Sequence, residues 1–150
     1  MISNDEHVSK EKQLSTSFYD ILEKIWNHGL QIKQGSSAIW SHISLYLRTS
    51  KNMESSKASY NMKSDIRNIL NLTIIKTDSG YAKAWIRLAL EKKCLSQYFH
   101  TLLSEEFLLK TLYKRSSFLR SEDEREQFLY HVLSLSTVDY NCFTNSYPTA

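Results

Sequence analysis

The stretch Gly80-Tyr81-Ala82-Lys83-Ala84-Trp85-Ile86-Arg87-Leu88-Ala89-Leu90 decides how this chain folds. Wound at 3.6 residues per turn, it is apolar around almost its whole circumference, with only a narrow stripe of Lys83, Arg87 and Glu91 left polar. A helix of that kind belongs at the centre of a bundle, not on its surface. Trp85 is expected in the core. Arg87 interrupts the apolar surface, and a guanidinium there is costly unless a carboxylate satisfies it, either Glu91 one turn on or Asp139 elsewhere. Trp85, Arg87 and Asp139 are therefore read as structural.

Working outward, the flanking segments repeat the one-face spacing of amphipathic helices. Upstream, Leu14, Phe18, Ile21, Leu22, Ile25 and Trp26 define a first helix that Gly29 ends, with Ser17 and Asp20 as a near capping box. Gly35-Ser36-Ser37 resets the chain before a second helix carrying Ala38, Ile39, Trp40, Ile43 and Leu47. The Ser-rich stretch 49–59 reads as a surface loop, and Met62, Ile66, Ile69 and Leu70 as a short third helix. Leu72-Thr73-Ile74-Ile75 is β-branched but has no partner strand, so residues 71–79 read as an extended connector. Downstream, Leu95, Tyr98, Phe99, Leu102 and Leu103 mark one helix and Phe107, Leu108, Leu112 and Tyr113 another. Ser121-Glu122-Asp123-Glu124 reads as a capping box opening a last helix that Phe128, Leu129, Val132, Leu133, Leu135 and Val138 carry to Tyr140, about 30 Å long. The expected fold is all-α, a single bundle of about seven to eight helices. It spans 14–146, with 1–13 as a flexible arm and 147–150 as a frayed tail.

Composition agrees. A chain of 150 residues with 41% hydrophobic and 12% aromatic residues can bury a core, and three Gly and one Pro are too few for turn-dense β folds. The net charge of +3 is weaker than nucleic-acid binding needs. Two cysteines, Cys94 and Cys142, do not make a disulfide framework, which points to a cytosolic chain. No apolar run reaches the roughly 20 residues of a membrane span. His7, His28, His42, His100 and His131 are scattered without metal-ligand spacing, the isolated glycines form no phosphate loop, and nothing near either thiol favours a thiolate. No metal, cofactor or catalytic residue is expected, and the chain reads as no enzyme. Lys110, Lys114, Arg115 and Arg120 form a basic cluster, but Glu122, Asp123, Glu124 and Glu126 follow at once, so the face is read as mixed and solvated.

The block 80–90 resembles the Gly-x-Gly-Arg-Ala-Trp-Leu-Arg-Leu-Ala-Leu block of the RUN domain family, departing at Ala82, where the family has its second Gly. Further likenesses follow in family order: His28-Gly29-Leu30, Ile39-Trp40, Leu133-Ser134-Leu135, Val138-Asp139-Tyr140 and Cys142. Phe118-Leu119-Arg120 and 124–131 look most like the first RUN domain of the Rab-interacting DENN-domain proteins. The resemblance, over residues 17–146, implies an all-α adaptor that binds a GTP-loaded small GTPase of Rab or Rap type, or motor proteins, in vesicle traffic. That would place the chain peripherally at Golgi or endosomal membranes. It also implies docking on a groove between the first and last helices. There the side chains left over by packing are Tyr19, Glu23 and Lys24, facing Gln127, Tyr130, His131 and Ser134. The alternative is a structural, self-associating or motor-binding domain without GTPase contact.

Overall fold

A computed structural model describes residues 18–32, 35–50 and 56–137. Helix α4, Asp78–Glu91, is the central element that the sequence announces: Ala82, Ala84, Trp85, Ile86, Ala89 and Leu90 are all buried. Thr77 caps it, its side chain accepting from the Gly80 N–H at 3.0 Å, and Asp78 adds an acid to the first turn. At the far end the Lys93 N–H bonds the Leu90 carbonyl and the Cys94 N–H the Ala89 carbonyl, the two bonds of a Schellman motif. Lys93 sits at its left-handed position with φ 57°, where glycine is usual.

Around α4 lie α1 (residues 18–27), α2 (Ala38–Thr49), α3 (Lys57–Leu70), α5 (Leu95–Leu103), α6 (Glu106–Leu112) and α7 (Glu122–Ser134). Short 3-10 turns at Phe118–Arg120 and Leu135–Thr137 flank α7. Gly29 ends α1 at φ +72°, and a Cβ there would lie 2.5 Å from Cβ of Ser117, so both the backbone and the close approach require glycine. Beyond it, Leu30 pairs with Tyr113 in an isolated antiparallel bridge, flanked by the Gln31 N–H to the Leu112 carbonyl at 2.7 Å and the Lys114 N–H to the Gly29 carbonyl at 2.8 Å. The Phe118 N–H donates to Nδ1 of His28 at 3.0 Å. These bonds tie the end of α1 to the segment that leads into α7.

Phe99 of α5 is the hub of the core. It meets Trp26 of α1 with ring centroids 4.9 Å apart, Trp85 of α4 at 5.7 Å and Phe128 of α7 at 5.8 Å. Several buried polar groups pair across elements: the Trp26 indole N–H donates to Nδ1 of His42 at 3.1 Å, and the Tyr113 hydroxyl to the Trp26 carbonyl at 2.5 Å. Asp65 accepts from the Tyr98 hydroxyl at 2.5 Å and from Nζ of Lys92 at 2.8 Å.

The structure corrects the sequence reading in several places, among them the start of α4 at Asp78, inside the stretch read as a connector. Helix α3 begins at Lys57, inside the stretch read as loop, because the Ser56 side chain accepts from the Ser59 N–H at 3.1 Å. Ser59 is buried, its hydroxyl 2.7 Å from that of Tyr46. The last α-helix is shorter than expected, tightening to a 3-10 turn after Ser134. Ser121 holds its N-cap position without a side-chain cap bond, although the three acids of the first turn are present. Ile21, Leu70, Phe107 and Leu133, assigned to apolar stripes, are exposed. The proposed arm, the tail, Ser17, Asp139 and Cys142 lie outside the described residues.

Candidate functional site

The exposed faces of α1 and α7 are the surface that the sequence singles out. The helices are neighbours: the Phe128 ring stands edge-on to Trp26 at 5.8 Å. The structure nevertheless divides the seven expected residues into two groups.

Tyr19 does not face solvent. It is 7% exposed, its hydroxyl reaches Oγ of Ser37 at 3.4 Å, and Nζ of Lys83 stands 5.1 Å from its ring centroid. Burial pushes its phenol pKa up. Glu23 is also committed within the fold. Its Oε1 accepts from the Ser37 hydroxyl at 2.7 Å and the Ile39 N–H at 2.9 Å; its Oε2 accepts from the Ala38 N–H at 3.1 Å. A carboxylate of α1 thus caps the positive end of α2, which has no acid in its own first turn. The missing acid is the one sequence signal that could have pointed to this role.

Lys24, Gln127, Tyr130, His131 and Ser134 are exposed. Tyr130 is 72% exposed, and its ring meets that of His131 edge-on at 6.0 Å. Ser134 donates its hydroxyl to the His131 carbonyl at 2.6 Å. At about 100° per residue, Tyr130 lies roughly 160° around α7 from Phe128, on the outer crest and away from α1. Tyr19 and Glu23 therefore do not share an exposed face with Tyr130. Leu133, exposed and three residues on from Tyr130, joins that crest, and the acids Glu122, Asp123, Glu124 and Glu126 stand exposed at its N-terminal end.

Of the residues read as structural, Trp85 and Arg87 are among those described. Trp85 is fully buried, stacked on Tyr98 at 5.8 Å. Arg87 is half-buried; burial pulls its guanidinium pKa down while the charge of Glu91 opposes that shift. Burial likewise raises the Glu91 carboxyl pKa against the effect of Arg87.

Elsewhere, the basic cluster contributes to an open cavity of about 170 Å³ lined by Glu106, Leu109, Lys110, Arg120, Glu122 and Arg125. Its signs are mixed, and Arg120 and Arg125 each donate to a backbone carbonyl, of Tyr113 and Leu119. Burial raises the Cys94 thiol pKa, which disfavours the nucleophilic thiolate. Among the described residues, no three His, Cys, Asp or Glu side chains are grouped to hold a metal ion, and no helix is long and apolar enough to cross a membrane.

Comparison with known proteins identifies relatives of the chain. RUN and FYVE domain-containing protein 2 of Homo sapiens is 27% identical over 128 residues, covering 83% of this chain and 20% of that protein. Protein RUFY3 of Rattus norvegicus is 27% identical over 128 residues, covering 83% of this chain and 25% of that protein. The chain thus spans a fifth to a quarter of the length of these relatives. The RUN domain family model matches residues 17–146. With that match running from α1 through α7 and across the central α4 block, the chain belongs to the RUN domain family, a family of protein-interaction domains.

Proposed function

We propose that this RUN domain is a small-GTPase effector domain in vesicle traffic, binding the GTP-loaded form of a Rab-type GTPase through the outer face of α7. The observation that carries the reading is the crest of Tyr130 and Leu133, two large apolar side chains exposed on the same face of α7 as Asp123 and Glu126. An exposed Tyr at the centre of a patch with a charged rim is the usual composition of an interface hot spot. Gln127, His131 and Ser134 flank it on α7. The likeness to RUFY proteins favours that side of the family over the DENN-type likeness of residues 118–131. Association with Golgi or endosomal membranes would then follow from the partner.

A pulldown against a panel of GTP-loaded Rab proteins selects the partner, and calorimetry against its two nucleotide states tests the reading. Tighter binding of the GTP form is expected, with Tyr130→Ala weakening it about thirtyfold, roughly 2 kcal/mol. Equal affinity for both states would refute the effector role. Undiminished binding by folded Tyr130→Ala would remove the site from α7.

A further inference from the structure

The connector between α3 and α4 carries a second exposed surface, of opposite charge to the α7 crest. Leu70, Leu72 and Ile74 are 42%, 38% and 56% exposed within five residues. Arg67 and Lys76, both exposed, bracket them, and no Asp or Glu occurs from residue 66 to residue 77. The nearest carboxylates on either side are engaged. Asp65 is buried under Lys92 and the Tyr98 hydroxyl, and Asp78 accepts from the Ser36 N–H at 3.3 Å. Tyr60 is exposed two turns before Arg67 on the same stripe of α3, so an aromatic ring and a guanidinium line the edge that leads into the connector.

We infer that this turn is a contact site for an anionic lipid bilayer: Leu70, Leu72 and Ile74 enter the interfacial layer while Arg67 and Lys76 pair with lipid phosphates. Two features favour a bilayer over a protein. Three aliphatic side chains on a short turn fall well short of the roughly 800 Å² per partner of a stable protein interface, whereas lipid accepts apolar side chains without a complementary shape. The flanking charge is also of one sign, which matches the negative surface potential of an acidic leaflet. This site stands independently of docking on α7.

The test is co-flotation of the full chain with vesicles of phosphatidylcholine alone and with about 30% phosphatidylserine, at about 0.1 M salt. Binding to the anionic vesicles at least tenfold tighter than to the neutral ones is expected. Arg67→Gln with Lys76→Gln should weaken it about 25-fold, about fivefold per cation. Leu72→Ser with Ile74→Ser should weaken it about tenfold or more. All four side chains are exposed, so thermal melts should be unchanged in both variants. The inference is overturned by absence of binding to either vesicle or by variants that bind like the parent. Loss of vesicle binding in millimolar inorganic phosphate would point to a phosphate site, and a dimer that Leu72→Ser with Ile74→Ser abolishes would make the turn a self-interface; either result also overturns it.

Discussion

His42 is fully buried, and its protonation state is set by a neighbour. Because Nδ1 accepts from the Trp26 indole, the ring must carry its proton on Nε2 and stay neutral. Burial accordingly depresses its pKa to about 3. Unfolded, the same imidazole titrates near 6.5. The unfolded chain therefore binds the proton first as pH falls, and the stabilising contribution, complete above about pH 6.5, declines by about 1.4 kcal/mol per pH unit below it. Between pH 6.5 and 4.5 the loss is roughly 2–3 kcal/mol. His42→Asn keeps an acceptor near the Nδ1 position and removes the titration. Urea melts across that interval should show a shallower pH dependence for the variant, and identical slopes would contradict the assignment. Lys93 gives a second prediction of opposite sign. At φ 57° its side chain strains a backbone position that glycine occupies freely, so Lys93→Gly should stabilise the domain by about 0.5–1 kcal/mol in the same melts.

At the level of elements, Glu23 makes α1 and α2 a unit. Glu23→Gln places an amide N–H₂ against a hydroxyl and backbone donors that a carboxylate satisfies, and should cost about 2 kcal/mol in urea unfolding at pH 7. A loss under about 0.5 kcal/mol would mean that water replaces the cap. How much of each element the sequence discloses depends on whether its determinants are local. The stop at Gly29 and the apolar girth of α4 are written within a few residues and are readable, whereas the cap at Thr77 lies inside the stretch read as a connector. The roll of α1 is not, because it is set from α2. His42 and Ser37 provide buried polar partners for Trp26 and Tyr19, which turns Tyr19 inward and leaves Ile21 outside. The start of α3 was hidden for a related reason: a serine-rich stretch looks like loop until Tyr46 offers Ser59 a buried partner.

Across the whole molecule, core and surface separate two tyrosines that the sequence places on one docking face. Helix periodicity identifies the bundle and its centre, but assigns the outward side chains only to within the roll of each helix, so Tyr19 is buried where periodicity places Ile21. Tyr19 is packed against α2 and under Lys83, whereas Tyr130 projects from α7. Their truncations should therefore report on different properties. Tyr19→Ala opens a cavity in a core that Phe99 joins across four helices, and should destabilise by about 3 kcal/mol, a large part of the 5–15 kcal/mol typical of a domain. Tyr130→Ala removes a ring that is mostly in water and should change stability by no more than about 0.5 kcal/mol. Denaturant titration followed by both tryptophan fluorescence and circular dichroism measures the two losses and checks that each variant unfolds in one transition. Similar losses for the two variants would mean that Tyr130 is covered in solution. A Tyr19→Ala chain as stable as the parent would mean that α1 can roll back to bury Ile21, the orientation that helix periodicity alone predicts.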